Sequence, residues 1–142
     1  MKVQELMTRP AVRIRADEPV TVAARTLTHY NIGAMPVCGS DGRLCGVITD
    51  RDIVTRCLAA QRPAELTKVS EVMTRQVLSV TPDTEARDAA ELMARCQVRR
   101  LPVVQNGRLC GVVSLGDLAQ NKNEADLASQ TLAAITDNIS RR

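Results

Sequence analysis

Val3, Leu6 and Met7 stand three and four positions apart, the spacing that lines apolar side chains along one face of a helical turn. Val69, Val72 and Met73 repeat it. After each turn the pattern predicts a brief strand, over residues 11–14 and 77–80. Asp17-Glu18-Pro19 and Pro82-Asp83 then break the strand and start a helix, whose N-terminus suits acidic residues. One such helix carries Val20, Ala23, Ala24 and Leu27, the other Ala86, Ala89, Ala90 and Met93. Both stripes are alanine-rich and allow close helix–helix approach. Second strands are expected over 32–37 and 98–103, and third strands over 43–48 and 108–113. Hairpin turns join them at Ser40-Asp41-Gly42 and at Asn106-Gly107, the latter a strong turn signal. Thr49 and Ser114, good N-caps, open a last helix in each series. The order is helical turn, strand, helix, strand, strand, helix, read twice.

The duplication is also literal. GRLCGV occurs at 42–47 and again at 107–112, and ELMTR at 5–9 returns as EVMTR at 71–75. The two landmarks recur at offsets of 65 and 66 residues, so one residue has been gained or lost between them. A period this long exceeds the roughly 20–50 residues of solenoid repeats, and two copies are too few for an array. The expected object is a pseudo-symmetric pair, with any ligand site at the seam between its halves. Residues 1–60 form the first repeat, 61–68 a linker containing Pro63, and 69–122 the second repeat. The tail, 123–142, has no counterpart in the first repeat. Asn123 can cap a helix on which Ala128, Leu132, Ile135 and Ile139 form an apolar stripe, expected to pack back on the pair or on a partner subunit.

Composition narrows the function. The 142 residues, 44% of them hydrophobic, suffice for a real core, and 25% charged residues is ordinary for a soluble surface. There is no apolar run of membrane-spanning length and no secretory signal in MKVQELMTRP, so a cytoplasmic, non-membrane protein is expected. A net charge of +3 does not by itself suggest nucleic acid. Arg far outnumbers Lys, and its planar fork suits phosphate and carboxylate, although most surface Arg are simply solvated. Tyr30 is the sole aromatic, which disfavours base-stacking single-strand binders and leaves a nucleobase to be wedged between aliphatic side chains. Cys38, Cys45, Cys57, Cys96 and Cys110 show no metal-finger spacing and read as small structural apolar residues. The alternative is a redox-responsive or protein-interaction module with vacant ligand sites, in which Cys38 of the Gly-Ser-Asp loop would be the switch. His29, the only histidine, stands at a helix C-terminus and lacks a nucleophile or acid partner; no catalytic constellation is visible.

Two elements in each copy exceed what a scaffold needs. One is a hydroxyl followed three positions later by aspartate at a strand-to-helix junction: Thr49 and Asp52, Ser114 and Asp117. Free backbone N–H groups and a hydroxyl favour an anion such as phosphate, while the aspartate can accept from the two hydroxyls of a ribose. The plain alternative is a capping box. The other element is the loop ending in Pro36 or Pro102. Gly33 and Ala34 leave room there in the first copy, and Arg99 and Arg100 supply charge in the second.

Taken in register and twice over, Met7-Thr8 and Met73-Thr74, IGAMPV and VRRLPV, GVITDRD and GVVSLGD resemble a tandem pair of CBS domains, a Bateman module. The resemblance covers residues 1–122 and is greatest to small stand-alone bacterial CBS proteins of the hypoxic-response type. It implies an α+β fold of two βαββα repeats about a pseudo-twofold axis, with the tail helix added. It also implies a non-enzymatic regulator binding AMP, ADP, ATP, S-adenosylmethionine or a dinucleotide between the repeats, with no obligatory cofactor and no metal. A homodimer and an unidentified protein partner are further implications. One implied site combines Ser114, Asp117, Val112, Arg99 and Arg100 with Thr8, Val12, Ile32 and Gly33. The other combines Thr49, Asp52, Val47, Gly33 and Ala34 with Thr74, Leu78, Val98 and Arg99. The aspartates would hold ribose, Ser114 and Thr49 the phosphate, and the aliphatics the base. Gly33-Ala34 opposite Arg99-Arg100 leaves the first copy short of positive charge, which favours the Asp117 site for phosphorylated ligands.

Overall fold

The opening helical turns do not pack with the repeats that follow them. In the structure, a computed structural model describing residues 1–140, Val3 is fully buried in a core built otherwise from the second repeat and the tail. Val69, Val72 and Met73 are buried in a core built from the first. The chain accordingly divides into two compact units. A repeat-1 unit comprises Val12–Val77 with Gly107–Leu109, and a repeat-2 unit comprises Met1–Ala11, Leu78–Asn106 and Cys110–Arg142.

In the repeat-1 unit, strand β1 (Ile14–Arg15) leads to helix α1 (Val20–Tyr30), then strands β2 (Ala34–Cys38) and β3 (Leu44–Thr49). Short helix α2 (Asp50–Asp52) runs on into a π-helical segment, Ile53–Leu58. β1 is parallel to β2, and β2 is antiparallel to β3, with Met35 opposite Ile48 and a bulge between Val37 and Cys38. Val20, Ala23 and Leu27 point from α1 into the core, where they meet Met35, Val37 and Ile48 of the sheet. The first strand is shorter and later than residues 11–14. α1 ends at Asn31, whose left-handed backbone (φ 53°) lets its N–H reach the carbonyls of Leu27 and Thr28. His29 is exposed near that end and meets Tyr30 edge-on, ring centroids 4.8 Å apart.

The repeat-2 unit follows the same plan. Val80 makes a lone parallel bridge to Val103 where a first strand was expected over 77–80. Helix α3 (Ala86–Cys96), strands β4 (Arg100–Gln105) and β5 (Arg108–Ser114, its first two residues counted with the repeat-1 unit) and helix α4 (Leu115–Gln120) come next. Asn106 (φ 55°) and Gly107 (φ 81°) form the β4–β5 turn with two consecutive left-handed residues, the conformation that an Asn-Gly pair adopts at least cost. Ala86, Ala89, Ala90 and Met93 all face the core.

Helix α5 (Ala125–Ser140) packs on α3 and α4 of this unit. Its phase corrects the expected stripe. Ala128, Thr131 and Ile135 are buried, whereas Leu132 is 41% exposed. A three-then-four step from Ala128 places Thr131 on the packed face, and its hydroxyl is satisfied by the Leu127 carbonyl at 2.8 Å. The side chain of Ile139 lies outside the described residues. Asn123 precedes the cap: the Glu124 carbonyl takes the first helical bond, from Ala128 N–H, and Asn121 Oδ1 accepts Asn123 N–H. Among the described residues no helix is long and apolar enough to cross a membrane.

Candidate functional site

β5 delivers Ser114 to the start of α4, and the local chemistry there is a reciprocal cap. Asp117 N–H donates to Ser114 Oγ at 3.1 Å, and Ser114 N–H donates to Asp117 Oδ2 at 2.8 Å. The opening turn of the chain supplies a third partner. Thr8 pairs with Val112 through two backbone bonds, Thr8 N–H to the Val112 carbonyl at 2.8 Å and the reverse at 3.1 Å. This pairing holds Thr8 Oγ1 3.2 Å from Asp117 Oδ1. It depends on a glycine, because a Cβ at Gly111 would stand 2.7 Å from the Thr8 carbonyl oxygen. The loop before β4 is tied to the same corner by Leu115 N–H donating to the Arg99 carbonyl at 2.9 Å. The repeat-2 unit thus gathers Thr8, Arg99, Val112, Ser114 and Asp117, with Arg100 next in the chain. Arg99 and Arg100 are exposed, and Asp117 is half-buried.

The repeat-1 unit builds the same corner with different chemistry. Thr49 and Asp52 cap each other at 2.9 and 3.0 Å. Thr74 pairs with Val47 through backbone bonds of 2.8 and 2.9 Å, past Gly46. Thr74 Oγ1 lies 3.3 Å from both oxygens of Asp52. Arg56 comes within 3.8 Å of that carboxylate while donating to the carbonyls of Val72 and Met73. Asp52 is only 7% exposed and largely engaged, so less of its carboxylate is open to a newcomer than at Asp117. Gly33 is joined to the corner by Asp50 N–H donating to its carbonyl at 3.0 Å, as Leu115 is joined to Arg99.

Of the residues expected together, Thr8 meets Asp117 and Thr74 meets Asp52. Val12, Ile32, Gly33 and Ala34 belong to the repeat-1 unit, and Leu78, Val98 and Arg99 to the repeat-2 unit. Leu78 and Val98 are exposed apolar side chains. Sequence reasoning passed over Asp50. Aligning Thr49 with Ser114 sets it against Leu115, and that single comparison would have found it.

The other candidate chemistry fares differently. All five cysteines are thiols. Cys38 is 3% exposed, and burial pushes its thiol above the usual range, away from the thiolate that a redox switch requires. Cys45 and Cys110 are only half-buried, not fully inside their strands. Among the described residues no group of His, Cys, Asp or Glu is placed to hold a metal.

Comparison with known proteins gives a consistent picture. The family model of the CBS domain matches twice, at residues 3–59 and 69–123. The CBS domain-containing protein YhcV of Bacillus subtilis is 39% identical over 134 residues, 94% of each chain. Hypoxic response protein 1 of Mycobacterium tuberculosis is 33% identical over 121 residues, 85% of each. Among solved structures, Hypoxic Response Protein I with two coordinated zinc ions superposes with a TM-score of 0.78 at 32% identity, covering 85% of this chain and 98% of that one. The CBS domain pair of MJ0100 in complex with methylthioadenosine and S-adenosyl-L-methionine gives 0.72 at 26% identity, covering 84% and 94%.

Proposed function

The chain belongs to the CBS-domain family, and from that premise we propose that it is a non-enzymatic sensor of adenosine-containing ligands. The ligands are AMP, ADP or ATP, with S-adenosylmethionine or a dinucleotide as further members of the class. The observation that carries this reading is the Asp117 corner. There a half-buried carboxylate, held by Ser114 N–H and the Thr8 hydroxyl, sits beside a loop-to-strand junction bearing two exposed arginines. A carboxylate oxygen has more than one lone pair, so Asp117 can accept from ribose hydroxyls while keeping its present partners. Ser114 and the fork-shaped guanidinium groups of Arg99 and Arg100 suit the phosphate, and Val112 offers an aliphatic surface to the base. The bound state is transmitted through a homodimer or a protein partner in the cytoplasm, without nucleic acid or membrane.

Calorimetric titration with AMP and ATP tests it. Asp117→Ala removes charge-assisted hydrogen bonds worth about 1.5–3 kcal/mol, a loss of roughly 10- to 100-fold in affinity. Equal affinities for the variant and the parent would overturn the assignment. Because the chain has no Trp and one Tyr, a co-purified adenine nucleotide would also dominate the ultraviolet spectrum and could be named by mass spectrometry.

A further inference from the structure

The two corners share one backbone plan and differ in where their charges stand. In the repeat-2 unit the residue after the hydroxyl is Leu115, 8% exposed and packed into the core, and the segment joined to it carries Arg99 and, at the start of β4, Arg100. In the repeat-1 unit that residue is Asp50, exposed, and the loop joined to it is Ile32-Gly33-Ala34, with no cation. The Asp50 carboxylate hangs over Gly33: a Cβ there would lie 3.4 Å from Asp50 Oδ2. The absent side chain leaves that oxygen uncovered. Its other oxygen, Oδ1, accepts the backbone N–H of Arg51 at 2.8 Å, which fixes the carboxylate in place. Asp52 adds a second negative charge two residues on, exposed Arg51 stands between them, and Arg56 is engaged by the Val72 and Met73 carbonyls. A phosphate brought to this corner meets the uncovered Asp50 oxygen and no arginine on the joined segment, whereas a positive group meets a fixed acceptor.

We infer that Asp50 is a specificity residue that makes the repeat-1 corner select an adenosine ligand carrying positive charge at its 5' substituent, such as a sulfonium. Phosphorylated adenosines are left to the Asp117 corner. The inference rests on the adenosine-binding reading above. S-adenosylmethionine and S-adenosylhomocysteine are suitable probes, because they differ by one methyl group and one positive charge on sulfur. The parent protein should bind the sulfonium about two- to fivefold more tightly at low salt, the span expected of one partly exposed charge pair. Asp50→Asn should bring the two affinities together. Asp50 is exposed, so a melting temperature matching the parent's verifies the fold of the variant. A titration with AMP separates the possible failures. If AMP binds but the parent does not distinguish sulfonium from thioether, or Asp50→Asn leaves the preference intact, the inference is wrong and the adenosine reading stands. If neither AMP nor either sulfur nucleoside binds, both are wrong.

Discussion

Gly111→Ala is the sharpest test of how the Asp117 corner is assembled. The added methyl would stand 2.7 Å from the Thr8 carbonyl oxygen and 3.1 Å from Met7 Sδ. The sulfur can swing aside; the carbonyl is backbone and cannot move without disturbing its own bonds. Overpacking of this kind costs about 1–3 kcal/mol. Each of the two Thr8–Val112 backbone bonds is worth about 0.5–1.5 kcal/mol when lost. Partial relief of one by yielding of the other gives an expected loss of about 2–4 kcal/mol. For a chain of this length that lowers the melting temperature by roughly 6–12 °C. Far-UV circular dichroism is the appropriate assay, since the chain has no Trp to report by fluorescence. Gly42→Ala is the control. Gly42 has φ +83° with open space around its Cβ position, so alanine there meets only left-handed strain of about 1–2 kcal/mol. Displacement of Thr8 also removes the hydroxyl at 3.2 Å from Asp117, so AMP affinity should fall with stability. A Gly111→Ala protein that melts no earlier than Gly42→Ala would refute the close approach of the opening turn to β5.

Three other outcomes follow from the geometry. Ile135→Ala should cost about 2–5 kcal/mol in thermal or urea unfolding, whereas Leu132→Ala should stay within about 0.5 kcal/mol, because only the first is buried. Glu71 is held below its ordinary value near 4.5, first by the Lys68 backbone N–H and then by Arg62, and Glu85 by Lys2. Depressed carboxylates contribute stability that is present above the unfolded value and lost as pH falls through the folded one. Melting temperature should therefore drop on acidification below about pH 4.5, and less steeply in a Glu71→Gln/Glu85→Gln protein. Cys38 and Cys57 are buried, so a thiol reagent such as Ellman's should reach them only on unfolding, while half-buried Cys45 and Cys96 react in the native protein.

Helices and hairpins were legible because their signals are local. The 3.6-residue stripes of α1 and α3, the Asn-Gly turn and the hydroxyl caps each depend on neighbours within a few residues, and all appear close to where the pattern placed them. The first strands were misjudged, since pairing of β1 with β2, and of Val80 with Val103, is a tertiary event that propensity does not report. The phase of α5 turned on one residue. Thr131 looks polar in sequence, but its hydroxyl bonds back to Leu127, so it can occupy the buried face in place of Leu132. At the corners, the hydroxyl and aspartate could be read from spacing. Their company with Thr8 and Thr74 came only through family resemblance, because those residues lie 109 and 22 positions away.

The exchange of opening turns has a consequence for how such a chain could arise and how it can be divided. Cutting within residues 61–68 would separate Val69, Val72 and Met73 from the core they complete, and Val3 from its own. The two fragments should therefore recover native structure by reassociating rather than by folding apart. Viewed as history, a half-length ancestor would have completed its core by trading first turns with a twin. Joining two such copies end to end would turn that handshake between molecules into an internal bond that dilution cannot undo.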